Sequence, residues 1–140
     1  MKYIEKLNAE ELYQQINIKI SNGGWTADFL SIVNSYMSKY KDNPESLIKE
    51  IMTFISDSVD DIRDELKNTD DKEYLTMAEY PDDLIHIQKD FANYGFIISV
   101  IEAEILWEIR SDNWAAQWIY IGEDEDTFIE FVLHCLACPY

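Results

Sequence analysis

The sequence predicts an α+β fold, with an N-terminal helical layer, a small C-terminal antiparallel β-hairpin or sheet and a terminal helix; an all-α arrangement is the alternative. Three observations carry this. Apolar residues recur at helical spacing from Leu12 to about Gly95, polar and apolar residues alternate from Ile101 to Arg110, and helical spacing returns after Asp126. The 140 residues are 47% hydrophobic and 14% aromatic, with 4 Gly and 3 Pro, which excludes a disordered chain. With no repeat, linker or low-complexity tract, they fit a single domain over 1–140. A domain near this size buries roughly 70% of the surface its unfolded chain exposes.

Asn8 caps the first helix, with Glu11 three residues on and Leu7 and Leu12 at the staple positions. Leu12, Tyr13, Ile16 and Ile20 extend it as an apolar stripe. The alternation Ile16-Asn17-Ile18-Lys19-Ile20 also suits a strand, but cap and stripe together favour helix. Asn22-Gly23-Gly24 ends it, because glycine accepts positive φ without a Cβ penalty. A second helix starts near Thr26, with Phe29, Leu30, Val33, Tyr36, Met37 and Tyr40 at helical spacing. Asn43 then caps a third, with Pro44 at its first position. This helix is predicted to run from Pro44 to about Lys67, with Ile48, Ile51, Ile55, Val59, Ile62 and Leu66 on one side and Asp57, Asp60, Asp61, Asp64 and Glu65 on the other. Thr69 to Tyr80 is polar and reads as a short helix or loop. Pro81-Asp82-Asp83 opens a further helix ending near Gly95, its aspartates suited to the positive helix end.

From Ile101 onward, Ile101, Ala103, Ile105, Trp107 and Ile109 alternate with Glu102, Glu104, Glu108 and Arg110, the pattern of a half-buried strand. Ser111-Asp112-Asn113 supplies turn chemistry. Trp114 to Ile121, rich in aromatic and β-branched residues, completes a predicted hairpin. The rival reading is helical throughout, since Glu and Ala favour helix. Asp126 caps a C-terminal helix burying Phe128, Ile129, Phe131, Val132, Leu133 and Leu136.

The formal net charge is −17, from 28 acids against 11 Lys and Arg. Residues 1–41 are nearly balanced, with 4 acids and 5 lysines, so the acidity lies beyond them. Two blocks dominate: residues 57–83 hold 11 acids and 3 bases, and residues 102–130 hold 9 acids and one base, Arg110. Self-repulsion on this scale disfavours a compact state and calls for either a solubility role or an acidic binding face. Phosphates would be repelled, so no direct contact with nucleic acid and no membrane partner are expected. No apolar stretch approaches the ~18 to 20 residues of a membrane span, and the start, MKYIEKLNAEEL, lacks the apolar core of a signal peptide. A cytoplasmic location follows as the expectation.

The candidates for chemistry are few. Cys135 and Cys138 form a Cys-x-x-Cys beside His134, but at a predicted helix C-terminus, where the dipole disfavours a thiolate; packing is their expected role. Asp83/His86 and Glu130/His134 stand at spacings that share a helix face, as in di-metal bundles, yet a complete ligand set needs further Glu and Glu-x-x-His elements. Gly122 to Asp126 is acidic without the Gly and Glu placement of a calcium loop. Phosphate loops and nucleophile elbows are absent. No cofactor, metal or catalytic residue is therefore expected. The aromatics Trp25, Trp107, Trp114 and Trp118 read mainly as core.

The partner-binding candidates are Asp57, Asp60, Asp61, Asp64 and Glu65, with Asp82, Asp83, Glu123, Asp124, Glu125 and Asp126. Acids three and four apart on a helix lie about 5 to 6 Å from one another, comparable to successive phosphates. In composition alone the chain resembles two classes of inhibitor, immunity proteins against nuclease toxins and DNA-mimic anti-restriction or anti-CRISPR proteins. The expectation is a non-enzymatic inhibitor of a basic protein, a nuclease or nucleic-acid-binding effector. The alternatives are a metal-dependent enzyme using His86, His134 and carboxylates, or an acidic scaffolding domain.

Overall fold

Capping side chains set the first helices in the computed structural model, which describes residues 1–111 and 125–138. After β1 (Lys2–Tyr3), α1 (Ala9–Ser21) begins where Asn8 Oδ1 accepts the Glu11 N–H at 2.8 Å and Asn8 Nδ2 donates to Glu11 Oε1 at 2.9 Å. Leu12, Ile16 and Ile20 are buried while Ile18 is 51% exposed, so the segment follows the helical period and not the alternation. Thr26 Oγ1 accepts the Phe29 N–H at 3.3 Å and starts α2 (Ala27–Met37), which tightens into a 3-10 turn at Ser38–Tyr40. Val33, Met37 and Tyr40 are buried.

Pro44 occupies the first position of α3 (Pro44–Asp61), although the Asn43 side chain makes no capping bond. The long helix predicted to Lys67 is divided. Ile62, at φ −111° and ψ 7°, leaves the helical region, and α4 (Arg63–Leu66) follows as a separate single turn. The physical reason is packing: α3 buries Leu47, Ile48, Ile51 and Ile55, whereas α4 buries nothing that would hold it in line. Asp70 caps α5 (Asp71–Met77), its Oδ1 accepting the Glu73 N–H at 2.7 Å. α6 (Pro81–Asn93) starts at its proline as predicted, and Gly95 follows it at φ +98°.

The small antiparallel sheet pairs β1 with β2 (Phe96–Ile97), Lys2 opposite Ile97 and Tyr3 opposite Phe96. It is not the predicted C-terminal hairpin. Residues 101–110, expected as its first arm, belong to helix α7 (Val100–Ser111); the expected second arm, 114–121, lies outside the described residues. The alternation was misleading because α7 packs on α3, α5, α6 and the last helix, α8 (Glu125–Ala137), so it needs apolar residues on several sides. Leu106, on the polar phase of the alternation, is fully buried, and Ala103, Leu106 and Ile109 recur three apart. The chain is thus mostly helical.

One cluster of buried side chains draws on α1, α2, α3, α6, β2, α7 and α8. All six apolar residues predicted for the last helix, from Phe128 to Leu136, are buried. α8 starts at Glu125, so Asp126, expected as the cap, falls inside its first turn. Phe131 meets Trp25 and Phe29 edge-on at 5.1 and 5.2 Å, and Phe128 stacks with Tyr36 at 5.1 Å. Trp25 therefore belongs to the core margin. Among the described residues no helix is long and apolar enough to cross a membrane.

Candidate functional site

The acidic series keeps its exposure but loses its continuity. Asp57, Asp60 and Asp61 project from the last turns of α3, Asp64 and Glu65 from α4, and all five are exposed. The break at Ile62 means they do not share one helical face. Asp57 and Asp60 line a groove of about 800 Å³ between α3 and the start of α7, with Met52, Arg63 and Ile101. On the other flank, Asp57 and Asp61 line a second groove with Phe54 and Ile129. Asp60 Oδ1 pairs with Arg63 Nη2 at 3.1 Å, both well exposed, so the pair adds little to stability.

Asp82 and Asp83 sit in the first turn of α6, against the positive end of that helix. Asp82 is exposed. Asp83 is half-buried, and its Oδ2 accepts the Trp107 indole N–H at 3.2 Å, which gives it a positioning task of its own. The structure does not bring these two together with the Asp57 series on one element. Glu123 and Asp124 lie outside the described residues, while Glu125 and Asp126 begin α8.

A second acidic cluster escapes the sequence reading. As a helix, α7 places Glu104 and Glu108 four apart on one face and turns Glu102 inward. Burial pushes the Glu104 carboxyl above the ordinary carboxylate range, and Glu108 and then Glu79 push it further. Burial also raises the Tyr74 phenol, with Glu104 and Glu108 adding to the effect. Beside them Tyr80 stacks on Trp107, ring centroids 5.1 Å apart and planes 21° from parallel. The helical repeat of Glu104, Trp107 and Glu108 was the available signal.

Glu102, expected on a solvated strand face, is buried. Its Oε1 accepts the Ser99 N–H at 2.8 Å while Ser99 Oγ accepts the Glu102 N–H at 3.1 Å, the reciprocal pair of a capping box. Its Oε2 meets the Met1 amino group.

The two histidines occupy different environments. His86 is exposed on α6, and Asp83 is engaged with Trp107. His134 is buried, its Nδ1 3.1 Å from the Ile109 carbonyl and its Nε2 3.5 Å from Cys138 Sγ. A carbonyl accepts only, so Nδ1 carries the proton and Nε2 accepts from the thiol. This ties α8 to α7 within the core. Cys135 and Cys138 are both buried. Among the described residues no group of three or more His, Cys, Asp or Glu is arranged to hold a metal ion.

No family model, curated protein or solved structure matches the chain.

Proposed function

We propose that the protein is a non-enzymatic inhibitor that binds a basic protein acting on nucleic acid, such as a nuclease toxin or a restriction or CRISPR effector, and blocks its basic cleft. The observation that carries this reading is the row of five exposed carboxylates at Asp57, Asp60, Asp61, Asp64 and Glu65 in a chain of net charge −17. Charge of one sign at this density raises the encounter rate with a surface of the opposite sign and disfavours like-charged partners. The grooves on both flanks of α3 add apolar contact beside the acids, from Met52 and Ile101 on one side and Phe54 and Ile129 on the other. Binding energy in such an interface comes from a few desolvated anchors, while the charges set rate and specificity. Because Ile62 divides the row, the mimicry of a nucleic-acid backbone is by an acidic surface and not by a single regular helix face.

The test is a tagged pull-down from the native host at about physiological ionic strength, with the bound proteins identified by mass spectrometry. A stoichiometric basic nuclease or nucleic-acid-binding protein, released as salt rises, is the expected result. No such partner, or one indifferent to salt, overturns the reading and leaves the acidity to solubility.

A further inference from the structure

The least ordinary part of the described surface is apolar. Met77, at the end of α5, is 69% exposed, and Tyr80, just before α6, is 48% exposed. Tyr80 lies flat on Trp107 of α7, whose indole N–H is fixed by Asp83. An exposed ring is thus stacked on a half-buried one. Glu79 adjoins Tyr80, and Glu104 and Glu108 flank Trp107 along α7. Among the described residues no Lys or Arg pairs with any of these three carboxylates.

We propose that this face, where the end of α5, the start of α6 and the middle of α7 meet, receives an arginine-bearing segment of a partner protein. The guanidinium lies on the Tyr80–Trp107 stack and bonds to Glu104 or Glu108. This rests on the reading of a basic partner given above, and it assigns the anchoring contact to a face different from the Asp57 series. Charge complementarity selects the occupant. A second copy of a chain at −17 would be repelled, and so would a phosphate backbone or an anionic lipid surface. A cation is attracted both by the ring faces and by the carboxylates. Arginine fits better than lysine, because its planar, weakly hydrated guanidinium stacks on aromatic rings and offers a fork to a carboxylate. Burial is the main cause that raises the Glu104 carboxyl; the smaller repulsion from Glu108 and Glu79 is what an arriving cation offsets.

The experiment uses capped hexaarginine and hexalysine peptides as probes at about physiological ionic strength, with affinity measured by calorimetry and the site located through the Trp107 indole N–H resonance. Hexaarginine should move that resonance and bind more tightly than hexalysine. Tyr80→Ala, at an exposed residue whose side chain makes no capping bond, should weaken hexaarginine by about tenfold. Glu104→Gln with Glu108→Gln, which keeps the rings, should weaken both peptides. Neutralising Asp57, Asp60, Asp61 and Asp64 to Asn lowers the general attraction and should weaken hexaarginine and hexalysine alike, leaving the preference for arginine and the movement of the Trp107 resonance in place. An unmoved Trp107 resonance overturns the inference, even if the pull-down returns a basic protein. So does a preference for hexaarginine over hexalysine that survives Tyr80→Ala unchanged. A pull-down without a basic partner overturns the functional reading, whatever the peptides do.

Discussion

Gly95 is held at φ +98°, and a Cβ built there would stand 2.4 Å from the Ile4 carbonyl oxygen. That contact is backbone and cannot swing aside, and the same turn accepts the Ile4 N–H on the Gly95 carbonyl at 2.8 Å. Gly95→Ala is therefore expected to cost about 2 to 3 kcal/mol in urea unfolding, through strain at a left-handed position plus the forced separation of β1. Gly24, at φ +72° but with open space around it, should lose only about 1 kcal/mol on the same change. Equal losses would show that conformation alone decides. The sequence marked Gly95 as a helix stop, but not its contact with Ile4, because that contact joins residues far apart in the chain. Glu104 makes a second residue-scale prediction. Its raised pKa means that, above the usual glutamate range, the folded state still holds a proton that the unfolded chain has released. The stability it contributes is complete below that range and is lost as pH rises through the folded-state value. Glu104→Gln should accordingly raise stability at neutral pH and flatten its decline between mildly acidic and neutral conditions. An unchanged pH slope in denaturant titrations would remove Glu104 from the cluster.

Among the elements, α7 shows most plainly what local pattern can and cannot reveal. Ser99→Ala removes one half of its capping box and is expected to cost about 1 kcal/mol, whereas Ser99→Thr should restore most of it; urea midpoints measure both. No loss in Ser99→Ala would mean that the start of α7 is held instead by Asp71, whose Oδ2 accepts the Val100 N–H at 3.1 Å. The motif Ser99-Val100-Ile101-Glu102 was present in the sequence as a helix start. The expectation of a strand rested instead on the alternation of Ile101, Ala103, Ile105, Trp107 and Ile109, which a central helix with neighbours on several sides produces as readily as a strand. Helices at the margin were legible for the opposite reason. α1, α2 and α6 bury one stripe each, so Leu12, Ile16 and Ile20, or Leu84, Ile87 and Phe91, trace the period directly. The cap at Asn8, the helix start near Thr26 and the proline starts at Pro44 and Pro81 were equally local. The end of α3 was not, because the break at Ile62 depends on what α4 lacks to pack against. The Tyr80–Trp107 face stayed hidden with the helix that builds it.

At the scale of the whole molecule, the dominant feature is a net charge of −17 over 140 residues. Among the described residues, Asp60 pairs with Arg63 and Glu102 with the Met1 amino group. The acidic blocks were visible from composition alone. Their division between the end of α3 and the faces of α6 and α7 required the structure. Two roles then separate. In the proposed inhibitor, the exposed acids around Asp57 to Glu65 would supply long-range attraction and the ring pair with Glu104 and Glu108 the short-range fit. The first role concerns rate, the second residence time. The most direct test is the association rate constant between the protein and its captured basic partner over a range of ionic strength, for the native chain and for a variant with Asp57, Asp60, Asp61 and Asp64 changed to Lys. Attraction through these acids predicts a rate that falls as salt rises, and a further loss of about tenfold or more at low salt in the variant, with the dissociation rate little changed. A rate indifferent to salt and equal in the two proteins would contradict it.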